Sequence, residues 1–470
     1  MIIAFIRFVL CFAEAGGVTV PGTPSRDDSA PWDRRRAHLL IDTDPWGRPH
    51  LPGTSLAGAL RQMVRTAAGE GTAKELFGQL LPAGSGGSDV DSRASQIWVL
   101  GSRPLPGADS ESLETQIRAS TAISRTRAAA KANTLRVDEV LPAGSRFEVF
   151  LRWDRAPDAE LNRFVSWLST WRPLIGHGVS RGRGQCEVES VRSGMLRLDK
   201  PDDLLLWLTS SGPELARQVA TSGAIIDLPD DEEIIPAPPL VRLGISITGP
   251  LRVGSGQPPE RAGAQGQHVT PLLKVNDRYL MPGTGLKGLL RSRAEYILRS
   301  VGAEPPPCLD QKCGNCWPCE VFGHAGGHDP GKLSVGARAA VRIRDSWIAD
   351  PAPVRRQHVA IDRFTGGAHP GLLYTVDALE AGEFDLVVEQ LADKLNENRV
   401  TEILAVLRLV LEDLDDGITG IGAGIARGYG TVSVKWNEAG AGSRLPDGET
   451  ARATLRDLVG VTTAPAGVNE

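Results

Sequence analysis

Apolar residues near the N terminus follow the period of a β-strand. Ile3, Phe5, Arg7, Val9 and Cys11 alternate with the residues between them, which predicts a partly buried first strand. A secretory signal is disfavoured because Arg7 interrupts the apolar run and no basic residue precedes it. The chain contains no run of about 18 apolar residues, so the sequence predicts no membrane span.

Later in the chain the apolar period changes to that of a helix. The segment TGLKGLLRSRAEYILRS places five apolar residues on one helical face, namely Leu286, Leu289, Leu290, Ala294 and Ile297. Two further amphipathic helices are predicted over 159–171 and 400–414. Each follows a segment with strand character, at 146–153 and 383–391 respectively.

Four short motifs occur twice, in the same order and with nearly constant offsets. LPGTSLAGALR (51–61) recurs as MPGTGLKGLLR (281–291), ELFG (75–78) as EVFG (320–323), TAISR (121–125) as VAIDR (359–363), and GHGVSRGRG (176–184) as GAGIARGYG (422–430). Chance similarity could explain one such pair but not four, so the chain consists of two related domains.

Each half has the order strand–helix–strand–strand–helix–strand, which is the ferredoxin-like order shared with RNA-recognition modules. The fold class is therefore α+β, with two tandem domains and long loop insertions. We predict a first domain over 1–226, an acidic, proline-rich linker over 227–239 and a second domain over 240–436. Residues 437–470 are expected to form a solvated, partly disordered tail.

Two of the repeated motifs suit an anion. The net charge is −5 and aromatic residues make up 5% of the chain, so nucleic-acid binding requires local patches. The PGT turn precedes a helix whose free N–H groups suit a phosphate, and the glycine-rich loop allows a close backbone approach. The cations beside these motifs are Arg61, Arg181, Arg183, Lys287, Arg291 and Arg427. A simple capped helix and a structural turn are the alternatives.

Four of the six cysteines lie within twelve residues, at Cys308, Cys313, Cys316 and Cys319. Their spacing predicts a structural Zn²⁺ site and a reducing compartment, the cytoplasm, rather than a disulfide framework. A histidine at 324 or 328 could replace the most distant ligand, Cys308. The remaining cysteines, Cys11 and Cys186, lie on predicted strands and are expected to be core residues.

The motifs PGTSLAGALR, PGTGLKGLLR, CGNCWPCEVFG, HVAIDRFTGGA and GIGAGIARGYG together resemble the RAMP superfamily of CRISPR-associated proteins. More narrowly, the chain resembles a tandem fusion of two backbone subunits of type III effector complexes. The resemblance implies partners: a CRISPR guide RNA, a complementary target RNA and other effector subunits, without a membrane. It also implies a zinc-binding insertion before the EVFG motif, and sequence specificity that comes from base pairing.

The resemblance further implies a thumb hairpin that kinks the guide–target duplex. In the second copy Gly366 and Gly367 would supply the bend and Arg363 a phosphate contact. The matching segment of the first copy, SRTRAAAK, lacks the glycine pair. It offers the cations Arg125, Arg127 and Lys131.

Members of the resembled family often cleave target RNA with an acidic residue in the loop after the first strand, assisted by Mg²⁺ or another divalent ion. In the first copy this loop offers Asp33, the favoured position, with Asp28 and Asp27 as alternatives. The second copy offers only Glu260 there, so one active site is expected. The open alternatives are a non-catalytic guide-binding subunit and a guide-processing endonuclease.

Overall fold

The structure is a computed structural model of the 470-residue chain. It describes residues 1–22, 37–79, 92–106, 113–127, 129–226, 238–256, 260–261, 268–269, 271–309, 313–326, 328–329, 332–333, 336–391, 395–436 and 444–460. All structural statements below concern these residues.

The first half of the chain contains nine strands and four helices among its described residues. The strands are β1 (Ile2–Phe12), β2 (Thr19–Pro21), β3 (Leu39–Ile41), β4 (Ile97–Pro104), β5 (Gln116–Ser120), β6 (Arg136–Val140), β7 (Arg146–Asp154), β8 (Cys186–Arg197) and β9 (Ala224–Ile226). The helices are α1 (Gly53–Phe77), α2 (Asp158–Ser169), α3 (Pro201–Thr209) and α4 (Gly212–Thr221).

The described part of the second half contains thirteen strands, several of them short, and four helices. The strands are β10 (Val241–Ile247), β11 (Glu260–Arg261), β12 (His268–Val269), β13 (Lys274–Val275), β14 (Arg278–Met281), β15 (His328–Asp329), β16 (Lys332–Leu333), β17 (Val341–Ile343), β18 (Ser346–Trp347), β19 (Pro353–Ile361), β20 (Ala368–Leu379), β21 (Glu383–Gln390) and β22 (Val432–Val434). The helices are α5 (Gly283–Ser300), α6 (Trp317–Phe322), α7 (Glu397–Asp415) and α8 (Gly448–Leu458).

The chain divides into two compact units. The first contains Met1–Ile117, Val137–Val179 and Arg183–Pro236, and the second contains Arg118–Arg136, Ser180–Gly182 and Ala237–Glu470. Two short segments of the first repeat, 118–136 and 180–182, are therefore part of the second unit. Most of the predicted linker, residues 227–237, lies outside the described residues.

The main sheet of the first unit has the strand order β4-β7-β1-β8-β9, and β1 pairs antiparallel with both β7 and β8. Apolar residues of α1 and α2, such as Leu60 and Phe164, pack with Ile6 on one face of the sheet. On the other face, Phe5 packs with Leu215 of α4. Helices therefore cover both faces, which buries nearly all of β1 and not just the alternate residues that its pattern predicts.

The main sheet of the second unit has the order β17-β21-β10-β22. Its central strand alternates between buried residues, such as Leu243 and Ile245, and more exposed ones, such as Arg242. Helices α5 and α7 pack on the buried face and contribute Leu290 and Val410 to one core. Only one face of β10 is buried. The alternation of apolar and polar residues in its sequence therefore matches the alternation of buried and exposed side chains.

Both units contain the predicted strand–helix–strand–strand–helix–strand order, and the strand of the first position lies beside those of the third and fourth. The prediction of an α+β fold with two tandem ferredoxin-like domains is confirmed. One segment differs from expectation: within the predicted tail, α8 forms a helix that packs on α7 through Ala451 and Leu455. No helix in the described part of the chain is long and apolar enough to cross a membrane.

Candidate metal centre and nucleic-acid interface

The two glycine-rich loops have the same backbone conformation. Gly176, Gly178, Gly182 and Gly184 have φ values of 92°, 81°, 81° and 77°, and Gly422, Gly424, Gly428 and Gly430 have values of 85°, 86°, 78° and 80°. Each loop also contains a single 3₁₀ turn, at Val179–Arg181 and Ile425–Arg427. Because residues with a Cβ rarely adopt this left-handed region, the glycine spacing itself specifies the loop.

Close backbone contacts hold both loops. The Ile175 N–H donates to the Gly184 carbonyl at 2.7 Å, and the Ile421 N–H donates to the Gly430 carbonyl at 2.9 Å. A Cβ would lie 2.2 Å from a carbonyl oxygen at Gly184 and 2.0 Å from one at Gly430. The loops are therefore preformed, which a rigid anion-binding turn requires.

The loop arginines fall into two classes. The Arg427 side chain is exposed and donates to the Tyr374 hydroxyl at 3.2 Å. Arg183 is 6% exposed, and its guanidinium donates to the Asp138 carboxylate at 3.1 Å within the first unit. The Arg183 guanidinium thus faces a buried carboxylate, and its contact with RNA stays a prediction.

The arginine at the end of the PGT motif has a structural contact that occurs in both repeats. Arg61 Nη1 donates to the Gly78 carbonyl at 3.2 Å, and Arg291 Nη1 donates to the Gly323 carbonyl at 2.6 Å. Both glycines directly follow the FG-motif helix. Arg291 is 7% exposed, so the expected RNA contact does not fit its position, whereas Arg61 is 37% exposed at its side chain.

The N terminus of α5 already has an acidic partner in the protein. The Gly283 N–H donates to Asp345 Oδ1 at 2.7 Å, and Arg118 lies 3.9 Å from the same carboxylate. A phosphate at this N–H group would have to compete with Asp345. The helix N terminus itself is therefore a weaker anion site than the PGT motif predicts.

Lys287 and Arg181 form a cationic group in the second unit. Lys287 Nζ donates to the Ser180 hydroxyl at 2.8 Å. Burial, together with the positive charges of Arg181 and Arg291, lowers the pKa of Lys287 to about 7. Like charges held this closely favour a bound anion, which would reduce their mutual repulsion. The glycine loop of the first repeat and the PGT helix of the second both contribute to this group.

The four predicted metal ligands come together. The Sγ atoms of Cys308, Cys313, Cys316 and Cys319 all lie within 4.8 Å of one another. The separations are 3.5 Å between Cys308 and Cys319, 3.8 Å between Cys308 and Cys316, and 3.9 Å between Cys313 and Cys319. A Zn²⁺ ion with Zn–S bonds of about 2.3 Å in tetrahedral geometry sets neighbouring sulfurs about 3.8 Å apart. The cluster can therefore hold a structural metal such as zinc.

Among the described side chains, no further ligand joins the four cysteines. The His324 Nδ1 atom lies 3.3 Å from the Ala325 carbonyl oxygen, and the histidine is not one of the four clustered residues. The side chain of His328 lies outside the described residues. Burial raises the pKa of Cys11 to about 12 and raises that of Cys186 well above its ordinary value, as expected for thiols inside the fold.

The second hairpin, formed by β19 and β20, ends in an ordered turn. Asp362 Oδ1 accepts from the Phe364 N–H at 2.9 Å and from the Thr365 N–H at 2.8 Å, and Gly366 has a φ of 70°. Phe364 is 99% exposed and Arg363 is also exposed. Within β19, His358 Nε2 lies 2.8 Å from the Tyr429 hydroxyl of the glycine loop. The tip thus presents an apolar ring and a cation to solvent.

The first hairpin is the segment 118–136, of which residue 128 lies outside the described residues. Arg127 and Lys131 are exposed, as an RNA contact requires. Arg125 differs from expectation, since its Nε donates to Glu295 Oε2 at 2.6 Å and its side chain is 12% exposed. Both residues belong to the second unit.

The sequence analysis missed the acidic partners of these arginines. Asp138 and Glu295 each pair with an arginine that we had expected to face RNA, and Asp345 accepts from the N–H group at the start of α5. Only Glu295 had a local signal, because it lies four residues after Arg291 on the same helix. The other two pairs join residues far apart in sequence.

The candidate catalytic aspartates, Asp27, Asp28 and Asp33, lie outside the described residues. The chain that flanks them is described: β2 pairs with β3 through Val20 and Leu40, and the Gly22 N–H donates to the His38 carbonyl at 2.8 Å. The strands that precede and follow the acidic segment are therefore adjacent. The side chain of Glu260, in β11 of the second repeat, is also outside the described residues.

Comparisons with known proteins place these repeats in a family. The RAMP superfamily model matches residues 34–187 and 245–433. No curated protein matches the chain. Among solved structures, a chain of the cryo-EM structure of the type III-B Cmr-beta complex bound to cognate target RNA is similar, with 13% identity and a TM-score of 0.30. That similarity covers 41% of this chain and 60% of the other.

The family matches fall on the two repeats that share the glycine loop, the PGT helix and the FG turn. Together they span more than half of the chain, and each includes the central helices of a ferredoxin-like domain. The protein therefore belongs to the RAMP superfamily, with two copies of the family domain in tandem.

Proposed function

We propose that the protein is a backbone subunit of a type III CRISPR RNA-guided effector complex. In this role it binds the guide RNA along its sugar–phosphate backbone and cooperates with other effector subunits. The observation that carries the proposal is the preformed glycine loop, which occurs twice with the same φ values and carries an arginine at the same position of its 3₁₀ turn. Phosphate contacts of this kind give affinity without sequence preference.

The cations that suit this role are those with exposed or partly exposed side chains. They are Arg61, Arg127, Lys131, Arg181, Lys287, Arg363 and Arg427. The remaining three candidates, Arg125, Arg183 and Arg291, have buried or nearly buried ion pairs and act on the fold. The two hairpins would contact the guide–target duplex, with the exposed Phe364 tip as the wedge.

Guide binding is tested by charge reversal at Arg427, with a matched control on the same unit. Arg427→Glu should weaken binding of every guide sequence alike and lower the slope of log affinity against log salt by about 1. Arg456→Glu is the control, because this exposed arginine lies on α8 outside both glycine loops. Equal salt slopes for the wild type and Arg427→Glu would contradict the proposal.

We further propose that the first domain cleaves the complementary target RNA in a reaction that needs Mg²⁺ or another divalent ion. Asp33, with Asp28 and Asp27 as alternatives, would supply the carboxylate in the loop between β2 and β3. A carboxylate beside a kinked phosphate can hold such an ion and promote attack by the neighbouring 2′-hydroxyl. The second domain has only Glu260 in the matching loop and would bind without cutting.

The cleavage experiment uses the assembled complex and guide-complementary RNA, with Asp27, Asp28 and Asp33 changed to alanine one at a time. Asp33→Ala should reduce cutting by at least about 100-fold while target binding persists. Glu260→Ala is the matched control and should cut normally. Normal cutting by all three aspartate variants would make the chain a non-catalytic guide-binding subunit.

A further inference from the structure

A continuous ionic chain connects the cysteine cluster to the first hairpin. Arg291 Nη2 donates to the Cys319 sulfur at 3.3 Å, and Arg291 Nε donates to Glu295 Oε1 at 2.7 Å. The other oxygen of the same carboxylate, Oε2, accepts from Arg125 Nε at 2.6 Å. Three consecutive contacts therefore join a metal ligand in the EVFG insertion to the turn of residues 118–136.

The side chains that form this ionic chain are buried or nearly buried. Glu295 is 1% exposed and Arg291 is 7% exposed, and the Arg125 side chain is 12% exposed. A buried carboxylate of this kind costs considerable free energy unless its oxygens are hydrogen-bonded and its charge is balanced. Glu295 uses one oxygen for each arginine, so loss of either guanidinium leaves a buried oxygen without its charged partner.

Metal binding would change the formal charge at the cysteine end of this ionic chain. Four thiolates around one Zn²⁺ carry a formal net charge of about −2, whereas four protonated thiols carry none. Arg291 already contacts both Cys319 and Glu295, and a metal-loaded cluster would strengthen the attraction that holds its guanidinium there. With Arg291 fixed, the Glu295 carboxylate is oriented so that Oε2 faces Arg125.

We propose that the metal centre, acting through the positioning residues Arg291 and Glu295, anchors the first hairpin in the conformation that the structure shows. The cysteine insertion would then have a role beyond folding itself, because it determines the order of a segment that belongs to the other repeat in sequence. The second hairpin, β19 and β20, instead contacts its glycine loop, where His358 lies against Tyr429. This inference concerns the free protein and does not depend on the proposed function.

Hydrogen exchange of the full-length protein, resolved by segment, tests the anchor. Removal of the metal by a chelator should speed amide exchange in residues 118–136 by about tenfold or more. Without the metal the charged contacts of Glu295 are weaker, so local opening of the hairpin costs less free energy. The second hairpin and helix α7 should exchange at unchanged rates. Unchanged exchange in residues 118–136 would overturn the proposal, and so would an equal loss of protection in α7, which would mean that the metal holds the whole unit.

A pair of hairpin variants separates the anchor from general effects of metal loss. Arg125→Ala in the zinc-loaded protein should speed exchange in residues 118–136 to the same extent as the chelator, with zinc content unchanged. After this change the chelator should have no further effect on the hairpin. Arg127→Ala is the matched control, since this exposed arginine lies two residues away and should leave exchange at the wild-type rate.

Glu295→Gln provides a second variant that keeps the volume of the side chain but removes its charge. It should retain zinc and should also make exchange of the first hairpin insensitive to the chelator. A hairpin that stays protected in both Arg125→Ala and Glu295→Gln would show that other contacts hold it, and the proposal would fail.

Discussion

The arginine at the end of the PGT motif has different contacts in the two repeats. Arg61 and Arg291 both cap the carbonyl of the glycine after the FG helix. Arg61 also pairs with Glu70, whose side chain is 47% exposed, whereas Arg291 pairs with the buried Glu295 and contacts Cys319. The shared contact belongs to the fold, and in the second repeat it is joined by a buried ionic network that reaches Cys319 of the cysteine insertion. A recurring basic residue therefore need not be a recurring ligand contact.

The largest difference between the repeats should appear when the metal centre is broken. Cys316→Ser should lower the zinc content from about one ion per chain, measured by elemental analysis, and lower the free energy of local opening of the cysteine insertion by about 5 kcal/mol, while α7 keeps its protection from hydrogen exchange. The reason is that the insertion has few apolar residues to hold it without metal. Cys11→Ser is the control in the first repeat and should keep full zinc content. A metal-free wild type with an ordered cysteine insertion would contradict this expectation.

Substitution of the two capping arginines should lower the free energy of unfolding by different amounts, and both losses should be smaller than the effect of Cys316→Ser. Arg291→Met should cost about 3 kcal/mol in the free energy of unfolding, because it leaves the buried Glu295 with one of its two charged partners. Arg61→Met should cost about 1 kcal/mol or less, since its ion pair is solvent-exposed. Denaturant titration of both variants measures the comparison. Equal losses would mean that carbonyl capping, and not the buried pair, accounts for the stability.

The smallest expected effect concerns the pH dependence contributed by Lys287. Burial and the charges of Arg181 and Arg291 lower its pKa to about 7 in the folded protein, below its ordinary value of 10.5. The unfolded chain therefore binds the proton more tightly between these two values, and folding stability rises with pH across that window. Over one pH unit, from about 7.5 to about 8.5, Lys287→Met should remove about 1 kcal/mol of this rise. Ala57 occupies the matching position of the first repeat, so Ala57→Met serves as the control and should leave the rise unchanged.

Much of the fold could be predicted because the relevant signals are local. The alternation that begins at Ile3, the helical period after Pro282 and the spacing of the loop glycines each specify a backbone conformation within a short segment. The four cysteines were predictable for the same reason, because a short loop can bring closely spaced thiols together. The repeat of these signals predicted two domains of one kind.

The roles of the basic residues could not be predicted in the same way. Whether Arg125, Arg183 and Arg291 face solvent depends on Glu295 and Asp138, and two of the three pairs join residues far apart in sequence. The burial of β1 on both faces likewise depends on α4, which packs on it from more than 200 residues away in the chain. Local periodicity determined which segments are strands, helices and turns, whereas only the tertiary structure decided which charges are buried, because burial depends on what packs against a residue from elsewhere in the chain.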